Sequence, residues 1–306
     1  MALRKLQSTD GFVVVDFQDA PAAGPMRRAK KILQSSAGDL ARSATYTFAS
    51  FEMERSGASG GLNAEGDAID GAVEAMLTEV HPDAESGSLH LYPGKGLTAE
   101  QLAPLTEAAG LPPLAGSDRA RVASIVTAAA WACDGTLDGK TVAVEQSSAS
   151  PVPAGLTETV EAAGATIVEV DGVDTKPWLI WGADVDVILA GTKPGTLSHQ
   201  GAGFVRAGAL VPWGPIPFTT KAVAMLLKGQ KTTVVPDFIS TAGGLVAGYL
   251  PGDEAAVLDR ITASVAALLA EVADHEDGPL LASCYRAESF MAGWQGKAPF
   301  GRPLAA

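Results

Sequence analysis

Short apolar runs alternate with amphipathic segments through the second half of the chain. Residues 141–145 form a Val-rich run typical of a buried strand, and the helical pattern after it stops at Gly164. A β-branched run at 166–170 completes a strand–helix–strand unit. Further short apolar runs predict strands at 177–181, 186–190, 209–213 and 232–235. This alternation predicts an α/β fold with a doubly wound parallel sheet covered by helices on both faces.

The N-terminal half mixes strand and helix patterns. Strands are predicted at 11–17 and 88–92, and His90 is expected to be a half-exposed strand residue. Apolar residues at helical spacing predict a helix from Ser35 and another along Ile69, Val73, Met76, Leu77 and Val80. The glycine-rich segment 56–62 is predicted to be a turn, either a ligand contact or a plain connection. The basic cluster Arg27, Arg28, Lys30 and Lys31 is interpreted as a solvated face.

Two domains are predicted from the distribution of breakers and caps. The proline- and glycine-bearing link 109–116 marks a boundary, and Ser117 is a good N-cap for the helix that follows it. A long amphipathic helix spans Leu258 to Val272, and a tail at 283–295 carries aromatic packing residues.

Composition narrows the class of protein. The chain has 306 residues, 47% of them hydrophobic and 19% charged, which suffices for two domains with a sizeable core. Its formal net charge of −13 argues against nucleic acid or an anionic membrane as a partner. The two cysteines and four histidines show no metal-ligand spacing, so no metal site is expected. Reduced thiols and the lack of an apolar run near 18 residues favour a cytoplasmic location.

The turn after the first parallel strand lacks the dinucleotide fingerprint. The three glycine positions of G-x-G-x-x-G hold Gln146, Ser148 and Pro151. Side chains at the first two positions and the missing N–H of the proline weaken a phosphate contact, although Ser147 and its serine neighbours could still offer hydroxyls. Asp171 stands where a ribose-binding acid would, or is a turn former.

Several segments resemble the glutamate/leucine/phenylalanine/valine dehydrogenases. Residues 217–222 and 235–249 are similar to that family's P-T-T-x-x-A and V-P-D-x-x-x-N-A-G-G-V-x-x-S-Y motifs. Matches in the same order along the chain are 39–46 to the helix into M-T-Y-K, 56–62 to G-G-G-K-G-G-I, 137–144 to L-x-G-K-T-V-A-V, and 284–289 to the closing helix. The resemblance implies an N-terminal substrate and oligomerisation domain (1–115 plus 276–306), a Rossmann-like domain (116–275), a cleft between them and a homo-oligomer.

The resemblance also implies that the family's catalytic groups are missing. Thr47 and Ser59 stand where the family has its two active-site lysines, and Gly94 stands where it has the catalytic aspartate. Oxidative deamination needs a carboxylate anchor and a proton relay, which uncharged groups do not supply. Lys95 is a possible substitute. The substrate cleft would be formed by Thr47, Ser59, Gly60, Gly61, Thr241, Gly243 and Gly244, and a weak or lost cofactor contact by Gln146, Ser147, Ser148 and Asp171.

Three functional hypotheses follow. The first is a divergent member that has lost NAD(P)-dependent deamination, binds no cofactor, and keeps its cleft for a small molecule or serves as a structural or regulatory subunit. The second is a non-redox enzyme that uses new acid–base groups such as Glu52, Glu54, Arg55 or Lys95, although a surface role is favoured for these charges. The third is a true dehydrogenase, using NAD or NADP, in which Lys95 reaches the cleft beside Gly243 and Gly244.

Overall fold

Two five-stranded sheets organise the chain, which the computed structural model describes over residues 1–148, 150–229, 231–296 and 301–305. The first sheet has the order β1-β2-β4-β3-β5, in which β1–β2 and β2–β4 are antiparallel and β3 runs parallel to β4 and β5. Its strands are β1 (Ala2–Lys5), β2 (Gly11–Val15), β3 (Ala22–Ala29), β4 (Ser56–Asn63) and β5 (Leu89–Pro93).

Helices cover both faces of the first sheet. Helix α1 (Gln34–Ser50) packs on one face, where its Ala37 and Ala41 meet Phe12 and Val14 of β2. Helices α2 (Ile69–Glu85) and α3 (Ala99–Ala108) pack on the other face. The predicted helices from Ser35 and along the 69–80 pattern are confirmed.

The second sheet is fully parallel, with the order β7-β6-β8-β9-β10. Winding therefore reverses between β6 and β8, the place where doubly wound sheets open a crevice. All four residues of β8 are completely buried, because helices lie on both faces. The strands are β6 (Thr141–Val144), β7 (Thr166–Ile167), β8 (Val187–Ala190), β9 (Ala209–Pro212) and β10 (Thr233–Val234).

Eight helices follow the first domain's three in the described chain. They are α4 (Asp118–Trp131), α5 (Leu156–Ala162), α6 (His199–Ala202), α7 (Thr220–Gly229), α8 (Asp237–Ser240), α9 (Gly243–Val246), α10 (Glu254–Glu271) and α11 (Gly278–Gln295). The predicted cap is confirmed, since Ser117 Oγ accepts from the Ala120 amide at 3.2 Å. Gly164 has the positive φ, 92°, expected just after a helix. Within the described residues no helix is both long and apolar enough to span a bilayer.

Helix α11 returns to the first domain and packs on α1. Tyr46 Oη donates to Glu288 Oε1 at 2.9 Å, and the Arg286 guanidinium donates to the Ser50 carbonyl at 2.8 Å. This is the arrangement expected of a closing C-terminal helix, while the boundaries 1–115 plus 276–306 and 116–275 stay predictions.

Two predicted elements were wrong. Residues 177–181 form a 3₁₀-helix, Pro177–Gly182, because the proline starts a helical turn that buries Ile180 and Trp181 and leaves Trp178 exposed. Residues 56–62 are not a turn but most of β4, which is paired with β2 and β3 on either side. The run at 166–170 also yields only two strand residues, as expected at a sheet edge.

Candidate functional site

Helix α1 turns a second face toward the parallel-sheet domain. Ser43 Oγ donates to the Asp237 carboxylate at 2.7 Å, and Leu40 packs against Ile216. Thr47 lies one turn beyond Ser43 on this face and is only 1% exposed. Its hydroxyl donates back to the Ser43 carbonyl at 3.2 Å, so the position where the resemblance implies a first lysine holds a closed hydrogen bond within the helix.

Ser59 is completely buried in β4, and its hydroxyl has no hydrogen-bond partner among the described residues. Strand alternation places it on the same face as Gly57, the face covered by α1. The Gly57 amide donates to Thr45 Oγ1 at 2.8 Å, and a Cβ at Gly57 would collide with the Ala41 carbonyl. The position where the resemblance implies a second lysine therefore lies under a tightly packed helix.

The glycines that follow Ser59 are also explained by packing. A Cβ at Gly60 would run into the Met26 side chain, and one at Gly61 would lie 2.7 Å from the Phe12 ring. These residues let the side chains of the neighbouring strands lie flat against β4. The structure gives them a packing role inside the first domain, whatever their relation to a ligand.

Gly94 has no room for a side chain. It follows β5, and its amide donates to the Met26 carbonyl at 2.8 Å. An added Cβ would lie 2.8 Å from that carbonyl oxygen and 2.9 Å from Arg27 Cγ. Arg27 thus occupies the space beside the position where the resemblance implies an aspartate.

Arg27 is the functional candidate that the sequence analysis missed. It is partly buried, unlike its exposed neighbour Lys30, so the solvated-face interpretation is wrong for this residue. Its Nη2 donates to Ser36 Oγ at 3.1 Å, while its Nε is buried without a partner in the described structure. Burial lowers the pKa of Arg27, and no salt bridge to it exists among the described residues. Alternation along β3, which places Arg27 on one face with Ala23 and Pro25, was the available signal.

Lys95 connects the two domains. Its Nζ donates to Ser150 Oγ at 2.9 Å, in the loop that follows β6. Gly243 and Gly244 are engaged elsewhere: the Gly243 amide donates to Ser124 Oγ at 3.1 Å, and the Gly244 carbonyl accepts from the Gly116 amide at 2.8 Å. Thr241 Oγ1 donates to the Asp237 carbonyl at 2.8 Å. The described contacts of Lys95 therefore lead to the serine loop and not to the glycine pair.

The serine loop after β6 is folded on itself. The Ser150 amide donates to the Ser147 carbonyl at 3.0 Å, and the Ser147 amide donates to the Ser150 carbonyl at 3.4 Å. Gln146, Ser147 and Ser148 are exposed, as is Asp171 beyond β7. Helix α5 begins only at Leu156, after the left-handed Gly155. Residues 145–155 thus separate this helix from the end of β6.

Glu145 is the buried acid at the switch point between β6 and β8. One carboxylate oxygen accepts from the amides of Gly191 and Thr192, at 2.8 and 3.2 Å. The other accepts from the hydroxyls of Thr192 and Thr196. The Trp213 indole N–H donates to the Glu145 carbonyl at 2.8 Å, which fixes the backbone as well. Nothing in the sequence singled out this residue, since it reads as the last position of a strand.

Two buried groups have strongly shifted pKa values. Burial raises the pKa of Asp237 to about 6, against the lowering effect of the Ile216 amide and the Ser43 hydroxyl that it accepts from. Burial, followed by the nearby Arg55 charge, lowers the pKa of His90 to about 4. The expectation of a half-exposed His90 was wrong: it is 3% exposed, with Nε2 3.3 Å from Thr106 Oγ1 and its ring against Tyr92.

The other charges that could supply new chemistry are occupied or exposed. Glu52 is exposed and pairs with Arg286 at 2.9 Å, and Glu54 is exposed. The Arg55 guanidinium stacks on the Tyr249 ring, 3.8 Å from its centroid. Over the part of the chain that the structure describes, no group of three His, Cys, Asp or Glu side chains could hold a metal.

Comparison with known proteins rests on structure. No family model matches the sequence, and no curated protein matches it. A hetero-hexameric glutamate dehydrogenase from Thermus thermophilus in a Leu-bound form superposes with a TM-score of 0.78 at 20% identity, covering 95% of this chain and 86% of that one. An L-tryptophan dehydrogenase from Nostoc punctiforme gives 0.64 at 20% identity with 97% of both chains covered. A glutamate dehydrogenase from Peptoniphilus asaccharolyticus gives 0.66 at 14%, covering 93% and 86%.

The chain has the two-domain fold of the amino-acid dehydrogenases. The resemblance seen in the motifs is therefore confirmed at the level of the fold, including the Rossmann-like parallel sheet. At these identities the likeness describes architecture, and the chemistry has to be argued from the residues themselves.

Proposed function

We propose that this chain uses the amino-acid dehydrogenase fold without NAD(P)-dependent oxidative deamination and keeps the interdomain cleft to bind a small carboxylate. The observation that carries the proposal is the pair Gly94 and Arg27. Where the resemblance implies a catalytic acid, there is no space for a side chain, because a Cβ at Gly94 would lie 2.9 Å from Arg27 Cγ. A permanent cation does not relay a proton at neutral pH, so the acid–base step has no group to perform it.

The two lysine positions support the same conclusion. Thr47 is held in a hydrogen bond within α1, and Ser59 is sealed between β4 and α1. Neither position presents a charge to the cleft. Losing a general acid–base group lowers a rate by roughly 10²–10⁴, and two such positions are changed here, together with the carboxylate anchor.

The environment of Arg27 supports a carboxylate as the class of ligand. A partly buried guanidinium without a carboxylate partner is unfavourable unless a ligand supplies the negative charge. A planar guanidinium pairs best with a carboxylate, which can accept two parallel N–H bonds. Lys95, in the loop after β5, is a second cation near this end of β3, since its carbonyl accepts from the Arg28 amide at 2.8 Å.

The solved relatives suggest how such a chain could act. The Thermus protein is a hetero-hexameric assembly with leucine bound. A chain that binds a small carboxylate and performs no redox step is suited to be a regulatory or structural subunit in a cytoplasmic assembly. A homo-oligomer formed through the first domain is part of this proposal.

Calorimetric titration of the purified protein tests the proposal. We expect no binding of NAD, NADP or their reduced forms, and saturable binding of at least one member of a panel of amino acids, 2-oxo acids and dicarboxylates. Arg27→Met should weaken that carboxylate binding by at least tenfold, while the exposed Lys30→Met should leave it unchanged. Steady NADH formation from an amino acid, at a rate that follows this protein through purification, would overturn the proposal.

A second candidate function is that of a true dehydrogenase with a relocated catalytic lysine. The contact between Lys95 and Ser150 spans the two domains, as a relocated catalytic lysine beside a cofactor loop would. This second function predicts a dehydrogenase activity that depends on Lys95. The dependence on Lys95 distinguishes the enzyme from the binding protein.

A further inference from the structure

We infer that Glu145 acts as an internal anion, filling an anion-binding cradle at the switch point of the parallel sheet. The inference rests on the proposed function and explains why the family's dinucleotide would not fit this chain. The Glu145 carboxylate lies between the ends of β6 and β8. Glu145 as a whole is only 5% exposed to solvent. Four donors converge on it, two backbone amides and two hydroxyls.

The donor set is that of an anion site. Successive amides at Gly191 and Thr192 point at the same carboxylate oxygen, as in the backbone nests that hold phosphates and carboxylates. The hydroxyls of Thr192 and Thr196 complete the set on the second oxygen. The contacts of this cradle join the loop after β8 to the end of β6, in the crevice where doubly wound sheets bind their ligands.

In the described part of the neighbouring loop, the backbone donors that a phosphate would need are mostly occupied. The amides of Ser147 and Ser150 are paired with each other's carbonyls, and Pro151 has no N–H. Lys95 holds Ser150 toward the first domain. Helix α5 starts too far along the chain, at Leu156, to present its first turn directly after β6. The residues of this chain therefore do not fit a dinucleotide. The Glu145 carboxylate accepts the hydrogen bonds of the donors in the crevice instead.

This inference makes a chemical prediction about an opened cradle. Removing the Glu145 side chain leaves four buried donors unsatisfied and a space about the size of a small carboxylate. A free anion of matching size should then enter and stabilise the folded state by mass action. Wild-type protein should not respond, because its cradle is filled.

The experiment compares thermal unfolding of wild type and Glu145→Ala during titration with sodium acetate and with inorganic phosphate, ionic strength being held constant with sodium chloride. Glu145→Ala should unfold at least roughly 5 °C below wild type and regain a few degrees saturably with acetate or phosphate. Glu161→Ala, which removes an exposed acid from α5, is the matched control and should respond like wild type. A folded Glu145→Ala with no saturable response to either anion would overturn the inference.

Glu145→Gln covers the case in which the alanine variant does not fold. The amide keeps the shape but replaces one acceptor with a donor and removes the charge. We expect a Tm several degrees below wild type, and a Tm equal to wild type would refute a role for the negative charge. Failure of the proposed function would be seen in a different measurement. Wild-type protein would then bind a dinucleotide or form NADH, and no Glu145 variant is needed to detect either result.

Discussion

Ser43 Oγ donates to Asp237 Oδ2 at 2.7 Å, so a buried carboxylate at the start of α8 links helix α1 to the parallel-sheet domain. The same oxygen accepts from the Ile216 amide at 2.9 Å. Ile216 itself has a positive φ of 52°, which is uncommon for a β-branched residue. Asp237 and the constrained loop that holds Ile216 therefore form one of the links between the two domains.

Asp237 should make the folded state more stable at lower pH. Burial raises its pKa from 3.8 to about 6 in the folded protein. Between these values the folded chain holds a proton that the unfolded chain has lost, so stability falls as pH rises through this window, by about 3 kcal/mol. Asp237→Asn should remove this loss. Urea unfolding at pH 4 to 7 should show the variant gaining stability relative to wild type as pH rises, whereas the exposed Asp171→Asn should show no such trend.

His90 should have the opposite effect. Its folded pKa of about 4 lies below the ordinary 6.5, so between these values the unfolded chain binds a proton that the folded chain does not. Stability contributed by neutral His90 is complete above pH 6.5 and is lost as pH falls toward 4, by about 3 kcal/mol. His90→Phe should therefore gain on wild type as pH is lowered in the same urea series. A constant difference between the two proteins from pH 7 to 4 would show that His90 is not buried neutral.

Strand positions and burial could be predicted for most of the continuous apolar runs, with 177–181 as an exception. Runs such as 186–190 are apolar throughout because both faces are covered, and they became strands at the expected places. The glycine-rich 56–62 could not be recognised as a strand, since its pattern carries no β-branched side chains. The glycines of this strand are explained by tertiary packing. Helix α1 packs so closely on the strand that only glycine fits at Gly57.

The candidate site was predicted unevenly for a similar reason. The motif resemblance located Thr47, Ser59 and Gly94, because these are aligned positions in sequence. Arg27 and Glu145 acquire their importance from long-range neighbours, Gly94 for the first and the loop after β8 for the second. Charge patterning along the chain shows an acid or a base, but it does not show whether a partner lies opposite.

Gly57 should be intolerant of any side chain. A Cβ there would collide with the Ala41 carbonyl and lie 2.8 Å from the Ala44 Cβ, so α1 would have to move away from β4. Gly57→Ala should lower the free energy of unfolding by about 2–4 kcal/mol, in the range of overpacked cores. Gly71→Ala is the matched control, because it lies in α2 with open space around it, and should stabilise by about 0.5–1 kcal/mol. Chemical denaturation of both variants decides this, and a Gly57→Ala protein as stable as wild type would contradict the packing account.

Lys95→Met separates a structural contact from relocated catalysis. Lys95 is exposed, and its contact with Ser150 is a single hydrogen bond at the surface, so its loss should change stability by less than about 1 kcal/mol. If the chain has no redox chemistry, wild type and variant both give no NAD(P)H from amino acids in a spectrophotometric assay. A relocated catalytic lysine would instead give wild-type turnover that falls by roughly 10² or more in Lys95→Met. Lys30→Met, which removes an exposed lysine paired with Glu65, should leave any such turnover unchanged, so a loss confined to Lys95 would favour the enzyme over the binding protein.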